Sequence, residues 1–424
     1  MKYVIIGNSA AGIACVEGIR QIDKKGSITL VTHEACHTYS RPLISYLVQG
    51  KLNTKKMMYR NESFYKDNDV DFISGVSAEK IEVDKKTVSL SNGKDLAYDK
   101  LLVATGSSAF VPPIEGLDEV NSKTTFMSLA DAEKLQSLLE PGKKVIILGA
   151  GLIGLKCAEA LLGKNYKPKI IDLAPRVLAS ILDEAGAAMM QKHFEDKGAE
   201  FLLSKSISRV EATKGKKSSY LAILNDETKL DFDVLVLAAG VRPNTSLLSG
   251  IAEIGRGIAV NTKSESTSPG IYAAGDCTET MDISSGQRKI MALLPNAYMQ
   301  GECAGVNMAG GDMIFDRAIP MNAIGFMGLH IVSAGSYSGE VYESNKNGTY
   351  KKLFFSDNKL NGFIFIGDID KAGIYTSLIR EGTALDTIDF NLICEKPGLM
   401  AFTKEVRAEK LGAGKGGQSG RKIN

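Results

Sequence analysis

The chain has 424 residues, of which 44% are hydrophobic and 24% charged, and its formal net charge is +2. So even a balance excludes function by bulk charge on nucleic acid or an anionic membrane, and a chain this long needs two or three cores. No apolar run approaches the ~20 residues of a membrane span. The first apolar run reads as a strand and not as a leader peptide, so a cytoplasmic protein is expected.

Taken in chain order, Tyr3-Val4-Ile5-Ile6 is a short apolar run of the buried parallel-strand type. It leads into Gly7-Asn8-Ser9-Ala10-Ala11-Gly12, and Ala10 to Ile22 reads as a helix. A glycine turn between strand and helix presents free N–H groups and a positive dipole end to a pyrophosphate. Ser9 stands where the middle glycine of such a fingerprint lies nearest the phosphates, and a small hydroxyl fits there. The next strand, Ser27 to Val31, ends near Glu34, an acid about 20 residues on and placed to bond a ribose. His33 and Cys36 flank it as lining residues. From Lys85 to Leu102 short β runs and the Asn92-Gly93 hairpin signal predict a small antiparallel meander. The proline-rich Val111 to Gly116 reads as a linker.

The pattern then repeats. Lys144 to Leu148 is a second apolar strand, Gly149-Ala150-Gly151-Leu152-Ile153-Gly154 a second turn, Gly154 to Leu162 a helix, and Lys169-Ile170-Ile171 a strand ending at Asp172. One fingerprint is weak, because glycine turns before helices also arise from packing; two with matched strands and acids predict two dinucleotides held at once. Asp172 favours a free 2′-hydroxyl, since a carboxylate repels the extra phosphate of NADPH, a preference that Arg176 tempers.

A second crossing near Leu237 to Asn244, and the buried strand Gly270 to Asp276, predict that the first domain is discontinuous with the second inserted into it. The expected divisions are 1–110 with 236–317, then 111–235, then a smaller unit at 318–405, and a flexible basic tail at 406–424. In the third unit Tyr350 to Phe355 and Gly362 to Ile366 read as strands and Ala372 to Arg380 as a helix. Phe326, Met327, Phe363 and Phe365 read as core. The fold class is therefore α/β, with two Rossmann-like dinucleotide-binding domains, one inserted in the other, and a smaller C-terminal α+β domain. The six cysteines (Cys15, Cys36, Cys157, Cys277, Cys303, Cys394) show no metal or CxxC spacing and read as buried reduced thiols, and the four histidines are dispersed.

Five motifs in order resemble the pyridine nucleotide-disulfide oxidoreductase superfamily of FAD- and NAD(P)H-dependent enzymes over nearly the whole chain. They are the two fingerprints, Ala104-Thr105-Gly106, Gly240-Val241-Arg242-Pro243-Asn244 and Tyr272-Ala273-Ala274-Gly275-Asp276. The resemblance implies FAD on the first unit, at Gly7, Ser9, Ala10, Ala11, Gly12, Ala104, Thr105, Gly106 and Gly275. Glu34 would bond its adenosine ribose and Asp276 its ribitol chain. NAD(H), as substrate, would lie on the second unit at Gly149, Gly151, Leu152, Ile153, Gly154, Asp172, Ala239 and Gly240. Leu294 to Gln300, with a proline in the first turn of a helix running to Met308, would place Pro295, Asn296 and Ala297 at the flavin and aim the N-terminal N–H groups of the helix at its pyrimidine edge; a plain packing helix is the alternative. Arg41 and Pro42 would lie against the flavin, with a surface salt bridge as Arg41's alternative.

Disulfide reductases of the superfamily carry a CxxxxC pair just after the first acid, and peroxide-reducing relatives a single cysteine. Tyr39-Ser40-Arg41-Pro42-Leu43-Ile44-Ser45-Tyr46 carries neither, so thiol exchange has no starting sulfur there. The Tyr-x-Arg-Pro-Leu segment is similar to rubredoxin and ferredoxin reductases, the flavin half of assimilatory-type nitrite reductases, and flavoprotein subunits of anaerobic oxidoreductase complexes. Relatives often carry lysine where this chain has Tyr46, and many carry glutamate where it has Lys156. The resemblance implies an NADH:acceptor oxidoreductase in which FAD takes hydride from, or returns it to, NAD(H) and exchanges single electrons with a redox protein or iron–sulfur partner subunit. No residue is assigned as acid, base or nucleophile. Two alternatives stay open: an NADH oxidase reducing oxygen or a small quinone, and a non-catalytic flavin-binding interaction protein. Dimerisation and docking of a partner subunit are both compatible with the third domain.

Overall fold

The computed structural model describes residues 1–213, 220–395 and 397–412. Lys2–Ile6 is the central strand of a five-stranded parallel sheet, with Ser27–Thr32 and then Val70–Ser74 on one side, and Lys100–Val103 and then Ile271–Ala273 on the other. Tyr3 to Ile6 are all buried, as befits a strand covered on both faces. A second five-stranded parallel sheet runs in the order Glu200–Leu203, Lys169–Asp172, Val145–Leu148, Val234–Leu237, Lys123–Thr125.

Ile271–Ala273 thus rejoins the first sheet after the second has been completed. The two chain crossings, Ser107–Ala109 and Val241–Pro243, pair as an antiparallel ribbon. Phe110 N–H donates to the Gly240 carbonyl at 2.9 Å. Thr105 Oγ1 donates to the Asn244 carbonyl at 2.7 Å and Asn244 Nδ2 to the Thr105 carbonyl at 3.0 Å, which closes the ribbon's end. The return placed at residue 236 comes later: Val234–Leu237 is buried at every position beside Val145–Leu148, and the chain leaves only after Leu237.

The meander also differs from expectation. It comprises Ala78–Glu82, Thr87–Leu90 and Asp95–Ala97, turned at Asn92-Gly93 with Gly93 at φ 80°. Lys100–Val103 is not part of it, because Leu101, Leu102 and Val103 are apolar on both faces and are buried in the parallel sheet.

Two helices position the first cleft. Helix α1 (Ala10–Ile22) follows the first turn, and a long C-terminal helix, Leu294–Met308, lies against it. The two meet backbone to backbone through glycines. A Cβ on Gly301 would stand 2.1 Å from the Ala11 carbonyl oxygen, one on Gly305 2.3 Å from that of Cys15, and one on Gly18 2.5 Å from that of Glu302.

The third unit is an antiparallel sheet ordered Met321–Phe326, Leu329–Gly335, Lys359–Ile366, Thr349–Ser356, Glu340–Lys346. One face, with Phe326, Ile331, Tyr350, Ile364 and Ile366, joins a core with Leu182, Met190 and Phe194 of the second unit. The other, with Phe363 and Phe365, packs under Tyr375, Leu378 and Ile393 of the C-terminal helices. Phe326, Phe363 and Phe365 are core as expected, with Met327 at the rim. Part of the stretch expected to be flexible is helix, Lys404–Gly412, whose Lys404, Glu405, Arg407 and Ala408 are good helix formers. Residues 413–424 of the expected tail lie outside the described residues. Among the described residues no helix is long and apolar enough to cross a membrane.

Candidate functional site

The two glycine turns are built alike. Gly7 and Gly149 both lie at φ 120°. A Cβ on Gly7 would stand 2.1 Å from the Ala104 oxygen, and one on Gly149 2.1 Å from the Ala238 oxygen. Gly12 and Gly154 press on their own turns, with a Cβ 1.9 Å from the Gly7 and Gly149 oxygens respectively. These four glycines permit close strand–turn–helix packing. The middle position differs: around Gly151 nothing stands within 4 Å of a Cβ. The corresponding position in the first turn therefore has room for Ser9, whose hydroxyl accepts from Arg41 Nε at 3.4 Å.

A cleft of about 540 Å³ opens at the first turn, within the size range of nucleotide and cofactor sites. Its walls carry Gly7, Ser9, Ala10 and Ala11 of the turn, Glu34 and Arg41, Ala104, Thr105 and Gly106, and Gly275, Asp276 and Ala297. The structure thus brings together most of the residues expected to hold a flavin dinucleotide, at the turn where α1 begins with free N–H groups.

Some side chains fall elsewhere. Asn296 is 3% exposed and turns its amide away, Nδ2 reaching the Ile319 carbonyl at 3.3 Å and Met291 Sδ at 3.7 Å. Pro295 is exposed, and it is Leu294 and Ala297 that line the cleft from this helix. Asn296 therefore fastens the helix start to the third unit, leaving the backbone N–H groups as what the helix offers. Pro42 is exposed and opens the short turn Arg41–Leu43 beside the cleft.

Arg41 is both in the cleft and ion-paired. Its guanidinium bonds the Glu34 carboxylate and donates to the Met127 carbonyl at 3.2 Å, so the partner is the acid expected to bond the ribose. Cys36 shares a small pocket with Glu34 and Arg41. Burial, and then the Glu34 charge, push its thiol up to about 11, which keeps it protonated and a poor nucleophile.

Asn244 and Ser107 had no assigned role, yet both line the cleft; they sit at the ribbon where the two crossings meet. Ser107 Oγ donates to Asp276 Oδ2 at 3.1 Å. Burial raises the Asp276 carboxyl above the ordinary range, against the opposing hydrogen bond from Ser107 and the Arg41 charge. A carboxyl whose folded pKa is raised stabilises the fold below its unfolded value of about 3.9, and that contribution is lost as pH rises through the folded value. At neutral pH the ionised group therefore costs stability in flavin-free protein. Asp276→Asn is expected to raise the melting midpoint of the unliganded protein at pH 7, by an amount that shrinks towards pH 4. Differential scanning calorimetry at the two pH values checks this, and a lower midpoint at pH 7 would contradict it.

At the second turn the Asp172 carboxylate caps backbone N–H groups, accepting from Ala150 at 2.5 Å and from Ala174 at 2.7 Å. Arg176 is held by its own loop, Nε on the Leu182 carbonyl at 3.2 Å and Nη2 on that of Ala179 at 3.4 Å. Ala239 and Gly240 are exposed where Val234–Leu237 ends, next to Gly149. Leu173, 71% exposed, follows Asp172 and offers an apolar surface beside its carboxylate; the apolar residue after the acid was the available signal.

Residues 1–301 match the model of the pyridine nucleotide-disulphide oxidoreductase family, and residues 320–383 that of the rubredoxin NAD+ reductase C-terminal domain. The chain is 32% identical over 419 residues to the NADH-dependent phenylglyoxylate dehydrogenase subunit epsilon of Aromatoleum evansii, covering 96% of this chain and 97% of that one. It is 30% identical over 392 residues to the assimilatory nitrate reductase electron transfer subunit of Bacillus subtilis, covering 90% of this chain but 49% of that protein, so the chain spans about half the length of this relative. Among solved structures it is similar to a NAD-dependent persulfide reductase from A. fulgidus, with a TM-score of 0.84 and 26% identity over 92% of this chain and 79% of that one.

Proposed function

Since the chain belongs to the pyridine nucleotide-disulphide oxidoreductase family and is an NADH-dependent oxidoreductase, we propose that it is an FAD-holding NADH:acceptor oxidoreductase whose acceptor is a redox protein or an iron–sulfur partner subunit. The observation that carries this reading is the presence on one chain of two glycine turns alike at their first and last glycines, each with an acid at or just past the end of the following strand, Asp172 and Glu34 respectively. Both relatives compared above bear the name of a subunit, which supports an acceptor on a separate chain. So does the state of the thiols: burial pushes every cysteine up, leaving none suited to thiol exchange beside the cleft.

The proposed division is a FAD-binding domain of 1–110 with the return after Leu237 through 317, a NAD(H)-binding domain between them, and a third domain from 318. FAD, when bound, supplies the chemistry that joins two-electron hydride exchange to one-electron exchange. The chain's residues do the rest. The α1 N-terminus and Ser9 take the pyrophosphate, Glu34 the adenosine ribose and Asp276 the ribitol chain. The N–H groups of Leu294 and Asn296 at the start of this helix stabilise negative charge at the pyrimidine edge, Pro295 having none and that of Ala297 being donated to the Leu293 carbonyl. Asp172 and the second turn hold NAD(H). Electron flow in either direction and a cytoplasmic location belong to the same proposal.

Anaerobic titration of the purified protein with NADH tests it. About one equivalent of NADH is expected to bleach the flavin band, with NADPH far less effective and with little turnover in air until a redox partner is added. Rapid turnover in air without a partner would replace this reading with an oxidase. Bound flavin that NADH leaves oxidised would sink it.

A further inference from the structure

Tyr46 and Lys156, two of the positions at which the chain departs from the pattern it otherwise resembles, meet in the fold. Tyr46 lies on helix α2 (Ile44–Gln49), directly behind Arg41, and Lys156 on helix α3 (Leu152–Leu162), directly behind the second glycine turn. The Lys156 ammonium stands 5.4 Å from the centre of the Tyr46 ring and 5.0 Å from that of Phe326. It also donates to Glu159 Oε2 and to the Gly325 carbonyl, both at 2.7 Å. Glu159 in turn accepts from Met327 N–H at 2.8 Å through Oε1. One ammonium therefore touches the first unit, the second unit and the edge strand of the third.

A cation in this place has to be explained. The side chains of Lys156 and Glu159 are only 17% and 6% exposed, so both charges are largely desolvated, and an apolar side chain of equal length would pack between two rings without that cost. What the ammonium adds over an apolar side chain is direction: two hydrogen bonds and two ring faces fix its position from four sides. Helix α3 cannot slide without its turn, because Gly154 already sits against the Gly149 carbonyl. Whatever fixes Lys156 fixes the turn.

Resting on the NADH reading above, we propose that Lys156 is a positioning residue for NAD(H): clamped between Tyr46 and Gly325, it sets where the second turn presents its nucleotide relative to the first cleft. Lys156 touches no reacting atom in this scheme. It acts through α3.

The test compares Lys156→Met, Lys156→Arg, Tyr46→Phe and Tyr46→Leu in the full chain, by anaerobic stopped-flow reduction with NADH. Lys156→Met is expected to keep its flavin and to bind NADH within about threefold of the parent, yet to be reduced about 10- to 100-fold more slowly at saturating NADH. Lys156→Arg restores the rate to within about threefold, Tyr46→Phe leaves it unchanged, and Tyr46→Leu slows it about threefold, since the ring face and not the hydroxyl is used. Lys156→Met combined with Glu159→Gln, which leaves no unpaired buried carboxylate, shows the same slow reduction. In flavin-free protein, hydrogen exchange over 44–49 and 152–162 speeds up in Lys156→Met and not in Tyr46→Phe. A Lys156→Met rate equal to the parent's overturns the proposal. So does equal slowing in Lys156→Met and Lys156→Arg together with a lowered melting midpoint, which means the cluster only supports the fold. Parent flavin that NADH does not reduce overturns the NADH reading, and this proposal with it.

Discussion

Gly301→Val is expected to purify without flavin and to melt about 10 °C below the parent. The Cβ would stand 2.1 Å from the oxygen and 2.7 Å from the carbonyl carbon and Cα of Ala11, all backbone atoms of α1 that no rotamer can move. Relief requires the two helices to separate. Gly305 and Gly18 press on the facing backbone in the same contact, so the whole interface opens with it. Overpacking of a core typically costs about 1–3 kcal/mol, and backbone on both sides with no flexible neighbour puts this substitution at the upper end or beyond. The loss of flavin follows from the same geometry. Ala11 and Ala297 stand 3.3 Å and 3.5 Å from a Cβ built on Gly275, so the turn, the start of Leu294–Met308 and the Asp276 loop share one junction. Gly373→Ala is the control, because nothing stands within 4 Å of a Cβ there; it should be neutral or stabilising by up to about 1 kcal/mol. Thermal melts and the ratio of flavin to protein absorbance give the answer, and a Gly301→Val protein with full flavin and the parent midpoint would refute the close-contact account.

Asp172→Ala is expected to lower the preference for NADH over NADPH about 100-fold, as the ratio of the two kcat/KM values. The carboxylate already accepts from Ala150 and Ala174, and two oxygens with about four lone-pair sites leave capacity for a ribose hydroxyl. A 2′-phosphate would face that charge with no nearby compensation from Arg176, whose guanidinium is spent on the Ala179 and Leu182 carbonyls. The variant loses the hydrogen bond to NADH and the repulsion of NADPH together, so both terms move the ratio the same way. Asp172→Asn should fall between, since the amide keeps an acceptor and drops the charge. An unchanged ratio in Asp172→Ala would show that another group reads the 2′ position.

The parts of the molecule legible in the sequence are those set by local pattern. Continuous apolar runs marked the strands at both turns, and helix limits at Ala10–Ile22 and Leu294–Met308 coincide with those expected, because a glycine turn and a first-turn proline mark their starts. The strand Lys100–Val103 was misplaced for a physical reason: adjacency to a hairpin suggested antiparallel pairing, while burial on both faces put it in the parallel sheet. The strands Ile207–Ala212, Tyr220–Leu224 and Lys229–Phe232 were not anticipated; a bulge between Ile207 and Arg209 breaks the alternation of the first, and the third is only four residues long. Side-chain direction was least legible. That Tyr46 meets Lys156 and that Asn296 turns from the cleft to the Ile319 carbonyl are outcomes of packing between different elements, which spacing along the chain does not encode.

The ribbon at Ser107–Ala109 and Val241–Pro243 also bears on how such a chain can be rebuilt. The roughly 130 residues between Phe110 and Gly240 leave and rejoin the rest within one hydrogen bond, the arrangement that tolerates insertion and exchange of a whole unit. On the proposed division, the segment that reads the nicotinamide nucleotide is therefore one that can be exchanged as a unit. Splicing at Phe110 and Gly240 would transplant it between relatives, provided the recipient matches the faces it packs on: Tyr46 and Gly325 for Lys156, and Phe326 and Ile364 for the Leu182, Met190 and Phe194 core.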